Sequence, residues 1–221
     1  MTDGDDCCFD DWAGSWSKRA KRKRTVAGVT GPLLDGLEEA GIAGRSVLDV
    51  GAGIGDLSIE AIRRGAAAAH CMELSTRAVE EGRALAADRG VSERVTFETA
   101  NGAEADLPAA DVVVLNRVFC CYPDIDGLVA NSLGAARSVY AFSMPVSSGF
   151  IGFFNRFETA LSNVGYRLRE GTYHGFRVFV HDVGAIDRRV RDAGFEPVRV
   201  QRRRFGWHLA VYRRRESARL G

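Results

Sequence analysis

Short apolar runs alternate along the chain with longer segments in which apolar residues recur every three or four positions. The short runs are typical of buried strands, and the longer spacing is typical of amphipathic helices. Because the two kinds of segment alternate, the pattern predicts an α/β fold with a mostly parallel sheet. The predicted strands cover residues 46–50, 67–73, 95–99, 111–115, 138–143, 197–203 and 207–212, and the predicted helices cover residues 9–25, 32–40, 56–64, 76–89, 124–133 and 183–193.

The last two predicted strands are joined by a short turn at Phe205 and Gly206. So short a connection brings neighbouring strands together antiparallel. We therefore expect a seven-stranded, mostly parallel sheet with an antiparallel last strand and helices on both faces. Residues 1–45 are expected to form an N-terminal helical lid region, and residues 46–221 the main domain, with an inserted helical cover after strand five at about 145–181.

The inserted segment carries an apolar stripe at helical spacing. The first interpretation of this stripe is a packing face, and the alternative is the lining of a pocket for an apolar or aromatic ligand. In the second case nearby arginines would meet an acidic group on that ligand. The stripe consists of Phe150, Phe153, Phe154, Phe157 and Leu161, and the arginines are Arg156, Arg167, Arg169 and Arg177.

The composition is that of an ordinary globular protein of one domain: 221 residues, 46% hydrophobic, 27% charged. The net charge of +1 gives no global reason to expect a nucleic-acid partner, although basic clusters occur at 18–24, 202–204 and 213–215. No apolar stretch is long enough for a membrane span, and the acidic start is unlike a secretory leader. We therefore expect a cytoplasmic protein.

The five cysteines include two adjacent pairs, Cys7–Cys8 and Cys120–Cys121, and no CxxC motif. This spacing is a poor disulfide framework and a poor zinc signature. The sequence predicts reduced thiols and no metal site.

A glycine-rich turn joins the first predicted strand to the helix that follows it. Gly51, Gly53 and Gly55 allow the backbone to turn sharply and let a ligand approach without a Cβ in the way. Glu73 ends the second predicted strand, where a carboxylate can accept hydrogen bonds from a ribose diol. Both features lie at the carboxyl edge of the sheet, where open α/β proteins bind ligands.

The segment VLDVGAGIGDLSIEAIRRGA resembles motif I of class I S-adenosylmethionine-dependent methyltransferases, and Glu73-Leu74-Ser75 resembles their next motif. The resemblance covers about residues 47–143 and implies a Rossmann-like sheet and S-adenosylmethionine as the cofactor. A looser similarity links the CCYPD run to magnesium-protoporphyrin O-methyltransferase-like bacterial proteins.

The resemblance also implies roles for individual residues. The glycine turn with Asp49 would hold the methionine end of the cofactor, Glu73 the ribose, and Leu74 the adenine. Many relatives have an aspartate after strand three where this chain has an asparagine, which keeps an acceptor and removes a charge. The full cofactor set is Asp49, Gly51, Ala52, Gly53, Gly55, Glu73, Leu74, Asn101, Gly102 and Asn116. The helix before motif I, with Phe9, Trp12 and Trp16, is a candidate lid.

Asn116 and Arg117 follow strand four, where the family places residues that border the sulfonium and the acceptor. Two polar residues at the end of an apolar strand need partners, so both are expected to face the site, or Asn116 only ties down the loop. A general base is needed only for an acceptor of high pKa. His174 is the first candidate for that base, and a carboxylate acceptor would need none.

Three functional hypotheses follow. The leading one is a methyltransferase acting on a small apolar or aromatic molecule, at a hydroxyl or carboxylate oxygen. The second is an RNA or protein methyltransferase, which the basic clusters favour and the absence of an NPPY-like tetrad at 116–119 disfavours. The third is a cofactor-binding relative without catalytic activity.

Overall fold

The computed structural model describes residues 9–22, 28–168, 176–203 and 206–215. These residues form one seven-stranded sheet with helices on both sides. The strands are β1 (Ser46–Val50), β2 (Ala68–Glu73), β3 (Val95–Thr99), β4 (Ala110–Asn116), β5 (Ala136–Pro145), β6 (Phe195–Arg203) and β7 (Trp207–Arg214). The helices are α1 (Asp10–Arg22), α2 (Thr30–Glu39), α3 (Asp56–Arg63), α4 (Thr76–Asp88), α5 (Ile125–Ala135), α6 (Gly149–Leu168) and α7 (Val183–Asp192).

The strand order is β3-β2-β1-β4-β5-β7-β6, and the first five strands are parallel. Strand β7 runs antiparallel to both β5 and β6. The predicted fold class, with its reversed last strand, is therefore confirmed. Because the chain leaves β1 toward β2 and later returns beside β1 as β4, a crevice opens between the carboxyl ends of β1 and β4.

Alternating side chains divide the core into two layers. In β1, Val47 points to the side covered by α1, α2, α3 and α4, whereas Leu48 points to the side covered by α5 and α7. Both side chains are almost completely buried, as is Val113 in the neighbouring strand. This two-sided burial explains why the central strands read as continuous apolar runs rather than as an alternating pattern.

The predicted boundaries are close to the observed ones, with two exceptions. The first predicted helix ended at residue 25, but residues 23–27 lie outside the described part of the chain. Strand β5 is longer than predicted at both ends, because Ala136 pairs with Ala110 of β4 and Pro145 pairs with Trp207 of β7.

The interpretation of the inserted stripe as a packing face within this chain is wrong. Segment 149–168 forms the single long helix α6, and its aromatic residues are exposed rather than packed. Phe150 has 78% of its surface in solvent, and Phe153, Phe154 and Phe157 are each more than half exposed. The alternative interpretation is not supported either, because none of these residues lines the cavity at the carboxyl edge of the sheet.

Candidate cofactor and acceptor site

A cavity of about 410 Å³ opens at the carboxyl ends of β1, β2 and β4. Its size lies within the usual range for small-molecule sites. The cavity is lined by the glycine turn, the end of β2, the segment after β3, the segment after β4 and helix α1. The sheet topology therefore brings together residues that are far apart in the sequence.

The glycine turn has a backbone that other residues would not adopt easily. Gly51, Gly53 and Gly55 have φ angles of 71°, 57° and 68°, in the left-handed region. A Cβ at Gly51 would lie 2.6 Å from Cγ2 of Val118, and one at Gly55 would lie 2.7 Å from Cε1 of Phe97. The glycines thus serve both backbone conformation and close packing of the turn against its neighbours.

Glu73 holds this turn in place. Its Oε2 accepts the N–H of Gly53 at 2.8 Å, and its Oε1 accepts the N–H groups of Leu74 at 2.8 Å and Ser75 at 3.1 Å. Burial raises the pKa of Glu73, and the three N–H bonds oppose that rise. A carboxylate offers about four acceptor sites, so the three amides leave capacity for a ligand hydroxyl.

Asp49 presents an unpaired oxygen in the wall of the cavity. Its Oδ2 accepts the hydroxyl of Ser58 at 2.8 Å, whereas Oδ1 is buried and has no hydrogen-bond partner among the described residues. The pKa of Asp49 is raised to about 7, mainly by burial and to a smaller extent by the negative charges of Asp56 and Glu73, while the Ser58 hydrogen bond opposes the rise. A buried acceptor without a partner indicates a missing donor, and a cationic ligand group would supply one.

Asp56 is a third carboxylate at this end of the cavity. Burial raises its pKa, while the positive charge of Arg117 lowers it. The Asp56 carboxylate also accepts the N–H of Leu57 at 2.9 Å, at the start of α3. The three acids make this end of the cavity strongly favourable for a cation.

Asn101 and Gly102 lie where β3 gives way to a loop. The Asn101 Oδ1 accepts the N–H of Ala103 at 3.2 Å and the hydroxyl of Tyr122 at 3.1 Å. A Cβ at Gly102 would lie 2.4 Å from Cγ1 of Val50. The loop is thus held tightly against the end of β1, with the Asn101 amide at the cavity wall.

Asn116 and Arg117 both line the cavity, but in different ways. The Asn116 amide is fixed, because Oδ1 accepts the Ser143 hydroxyl at 2.7 Å and Nδ2 donates to Oγ1 of Thr30 at 3.0 Å. Arg117 has a φ of 65°, an unusual value for a residue with a side chain, and its N–H donates to Oγ of Ser143 at 3.0 Å. Its guanidinium makes no hydrogen bond or ion pair with the described residues.

Cys120 and Cys121 follow in a single 3₁₀ turn (Phe119–Cys121), and their sulfur atoms are 3.6 Å apart. Contact with the Cys121 thiol lowers the pKa of Cys120, and the charge of Arg117 acts in the same direction. Both side chains line the cavity and are partly exposed. Within the described ranges, no group of three His, Cys, Asp or Glu is arranged to hold a metal ion.

Helix α1 closes one side of the cavity with aromatic rings. Phe9, Trp12 and Trp16 all line it, and a Cβ at Gly53 would lie 3.5 Å from the Trp16 ring. The hydroxyl of Ser75, at the start of α4, donates to the carboxylate of Asp10 and so ties α1 to the end of β2.

Comparison with known proteins shows which proteins this chain is similar to. The sequence model of the family described as "Methyltransferase domain" matches residues 47–137. The ribosomal protein L11 methyltransferase of Serratia proteamaculans is 41% identical over 83 residues, which are 38% of this chain and 27% of that protein. The corresponding protein of Yersinia pseudotuberculosis is 37% identical over 88 residues, 40% of this chain and 30% of that protein. The chain thus spans less than a third of the length of these curated relatives.

The fold is shared more widely. The magnesium protoporphyrin IX methyltransferase of Synechocystis, crystallised with bound SAH, superposes with a TM-score of 0.69 at 20% identity, over 94% of this chain and 96% of that one. An O-methyltransferase family protein of Burkholderia thailandensis gives 0.65 at 19% identity, over 91% and 59%. The chain therefore has the fold of class I S-adenosylmethionine-dependent methyltransferases, and its residues 47–137 match the methyltransferase family model.

Tyr122 and Asp56 also line the cavity, although neither is among the predicted site residues. In the sequence, Tyr122 stands out only as part of the CCYPD run, yet its hydroxyl donates a hydrogen bond to Oδ1 of Asn101 at the cavity wall. Asp56 directly follows the glycine turn and is the first residue of α3. A charged residue directly after a glycine-rich turn, and a tyrosine in an otherwise apolar segment, are the signals that would have indicated them.

Among the described histidines, neither His181 nor His208 lines the cavity. His174 lies outside the described residues. Nε2 of His181 is hydrogen-bonded to the backbone oxygen of Tyr122 at 2.9 Å, and His208 is buried in β7, where neither ring nitrogen has a partner among the described residues. Desolvation lowers the pKa of His208, which favours a neutral ring in the core.

Proposed function

We propose that this chain transfers a methyl group from S-adenosylmethionine to an oxygen of a small apolar or aromatic acceptor. The observation that carries the proposal is the unpaired, buried Oδ1 of Asp49 beside a glycine turn that admits a ligand. A cofactor with a sulfonium and an ammonium group matches this concentration of buried carboxylates.

The residues present fit the cofactor. In this arrangement Asp49 accepts a hydrogen bond from the ammonium of the methionine end, and the glycine turn lies against the same part. Glu73 uses its remaining acceptor capacity for the ribose diol, Leu74 packs against the adenine, and Asn101 accepts from the adenine amino group. When bound, S-adenosylmethionine would supply a methyl carbon that an acceptor oxygen attacks in line, with the thioether S-adenosylhomocysteine as the leaving group.

The aromatic rings on α1, together with the ring just before it, also have a role in this proposal. Phe9, Trp12 and Trp16 line the cavity opposite the glycine turn, where they exclude water from the ligand. We therefore propose that the N-terminal region acts as a lid over the cofactor. In this proposal the hydrogen bond between Ser75 and Asp10 holds the lid against the end of β2.

Arg117 is proposed to select the acceptor. Its side chain is exposed at the cavity, and its backbone is held in a rarely populated conformation by Ser143. Such strain at a ligand cavity indicates a functional constraint on the position of the side chain. An acceptor that carries a carboxylate would pair with this guanidinium and would need no general base. For a hydroxyl acceptor, His174 stays the candidate base.

The first test is calorimetric titration with S-adenosylmethionine, S-adenosylhomocysteine and NAD. We expect both adenosyl ligands to bind and NAD not to bind, after which aromatic hydroxyl and aromatic carboxylate compounds are screened as acceptors. A folded protein that binds neither adenosyl ligand would refute the proposed function, and binding without turnover on any acceptor class would favour a non-catalytic relative.

The acceptor assignment has its own test. Arg117→Asn removes the charge and keeps a residue that tolerates left-handed backbone. We expect the KM for a carboxylate acceptor to rise at least tenfold while the affinity for S-adenosylmethionine stays within twofold. An unchanged KM would show that Arg117 does not contact the acceptor.

A protein or RNA acceptor is the second candidate, since the curated relatives act on a ribosomal protein and basic clusters occur at 202–204 and 213–215. Salt-dependent retention on RNA would favour a polyanionic acceptor. Methylation of ribosomal protein by the purified chain would favour a protein acceptor.

A further inference from the structure

Helix α6 exposes an apolar face along its whole length. Seven side chains on one side of the helix are each more than half exposed, and Leu168 reaches 80%. At helical spacing they form one stripe about 27 Å long. The stripe consists of Phe150, Phe153, Phe154, Phe157, Leu161, Val164 and Leu168.

The opposite side of α6 is anchored to the domain. Asn155 Nδ2 donates to the backbone oxygens of Val146 at 2.8 Å and Gly206 at 2.9 Å. Asn163 makes two bonds with the backbone of Val178, at 2.8 and 2.9 Å. Because polar residues fix the inner face by hydrogen bonds, the outward direction of the stripe is built into the fold.

The exposed area is large for a monomer. At roughly 200 Å² for each phenylalanine, the four exposed rings leave about 500 Å² of aromatic surface in water. The largest apolar patch of a typical monomer measures about 300–600 Å² in total, and the leucines and the valine of the stripe add to the aromatic area. A surface of this size indicates a binding partner.

The edge of the stripe is positively charged. Arg156 and Arg202 are exposed and donate to the backbone oxygen of Ser147 and to Oγ of Ser148, next to the start of α6. None of the arginines on α6 or at the end of β6 forms an ion pair with a described residue, and Glu158 is the only acid of α6. These arginines are Arg156, Arg167, Arg202 and Arg203.

We propose that α6 lies in the headgroup region of an anionic lipid bilayer, with the stripe inserted and the arginines at the phosphates. An aromatic and aliphatic face bordered by arginines is the pattern of helices that lie in a membrane surface. A second copy of the chain would cover the stripe but would bring the same excess of positive charge, whereas anionic lipid neutralises it. No helix of the described residues is long and apolar enough to cross a membrane, so this contact is with the surface only.

The ring of Phe176 links helix α6 to residues of the cavity wall. Phe176 contacts Tyr166 of α6, with ring centres 5.1 Å apart, and also contacts Phe9 at 5.5 Å and Trp12 at 5.4 Å. Phe9 and Trp12 line the cavity. A lipid-bound α6 therefore packs next to the cavity wall. The lipid contact is independent of the proposed reaction, because vesicle binding is measured without cofactor or acceptor.

The test is co-sedimentation of the full chain with vesicles of phosphatidylcholine alone and of phosphatidylcholine with one third phosphatidylglycerol. With four arginines at about fivefold each, we expect roughly 600-fold stronger partitioning to the anionic vesicles, reduced by high salt. Phe153→Ser with Phe157→Ser should abolish binding to both vesicles. Arg156→Gln with Arg202→Gln should reduce the preference for anionic vesicles about 25-fold, since each arginine near such a surface contributes about fivefold.

The matched control is Arg94→Gln with Arg137→Gln, which removes two exposed arginines outside α6 and β6 and should leave partitioning within twofold. Thermal unfolding of each variant checks that the fold is intact. Absence of binding to anionic vesicles overturns the proposal, as does unchanged binding by the phenylalanine variant. A dimer in light scattering that dissociates in the phenylalanine variant, without vesicle binding, would show that a second copy covers the stripe.

Discussion

Replacing Asp49 by asparagine should stabilise the free protein and weaken cofactor binding at the same time. The side chain is completely buried, and its carboxylate is destabilised by burial more than it is stabilised by the Ser58 hydroxyl. Asparagine has the same shape and still accepts the Ser58 hydrogen bond. The substitution therefore removes the charge and leaves the packing unchanged.

The magnitude follows from the shift in pKa. Burial raises the pKa of Asp49 from 3.8 to about 7, so the folded protein holds a proton that the unfolded chain releases between these values. A raised carboxyl pKa means that stability falls as the pH rises through this window, by a total of about 4 kcal/mol, and changes no further above pH 7. The new buried amide costs about 1–3 kcal/mol, which leaves a net gain of about 1–3 kcal/mol for Asp49→Asn at pH 8.

Urea unfolding of both proteins from pH 4 to pH 8 measures this difference. The free energy of unfolding of the variant, relative to the original protein, should rise with pH up to about 7 and then level off. Asp111→Asn is the matched control, because hydrogen bonds from the N–H and hydroxyl of Ser46 lower the pKa of Asp111. Asp111→Asn should lower the free energy of unfolding near neutral pH, whereas Asp49→Asn should raise it. The control substitution should not affect ligand binding.

The binding assay uses S-adenosylmethionine, S-adenosylhomocysteine and methylthioadenosine, which lacks the amino-acid part. If Asp49 accepts from the ammonium, the variant should bind the first two about 10- to 100-fold more weakly and the third with unchanged affinity. For the original protein, affinity for the first two should rise with pH up to about 7, a dependence that the variant lacks. A variant that is less stable at pH 8, or that keeps full affinity for S-adenosylmethionine, would refute the reasoning.

Three further substitutions test the rest of the site. Glu73→Ala should weaken S-adenosylmethionine binding by about 1–3 kcal/mol in calorimetry and also lower the Tm, because three backbone N–H groups lose their acceptor. Gly55→Ala should cost at least about 2 kcal/mol in urea unfolding, since its Cβ would lie 2.7 Å from the Phe97 ring on left-handed backbone, whereas Gly134→Ala, with open space at its Cβ, should not. Trp16→Ala should speed cofactor dissociation in stopped-flow fluorescence about tenfold if α1 is a lid, and an unchanged rate would contradict that role.

The sheet and the glycine turn were predictable because their signals are local. A buried parallel strand such as β1 reads as an apolar run, and the spacing of Gly51, Gly53 and Gly55 falls within one turn of chain. The reversal of β7 was also predictable, because the chain between β6 and β7 is too short for a crossover.

The state of individual site residues was not predictable in the same way. Asn116 is fixed by Thr30, which is 86 positions away, and by Ser143. Whether a polar residue at a strand end is free or already paired depends on such long-range contacts, which periodicity does not encode. The unpaired oxygen of Asp49 could not be predicted either, because it also depends on contacts between residues far apart in the sequence.

The stripe on α6 shows a different limit. Periodicity establishes that Phe150, Phe154, Phe157 and Leu161 share one side of a helix, but the same spacing serves a core, a pocket or a binding surface. The stripe faces solvent because the opposite side of the helix is bound to the domain. There, Asn155 and Asn163 form hydrogen bonds with backbone groups.

The charges around the cavity determine where a donor and an acceptor bind when both occupy it. The acids Asp49, Asp56 and Glu73 lie around the glycine turn, whereas Arg117, which forms no ion pair with a described residue, follows β4. A cationic donor placed at the acids and an anionic acceptor placed at Arg117 would each be stabilised, and the reverse arrangement would place like charges together. Because Asp56 and Arg117 also interact with each other, a cation bound at the acids releases Arg117 from that attraction. Donor binding should then raise the affinity for an anionic acceptor, and by linkage the acceptor should raise the affinity for the donor by the same factor.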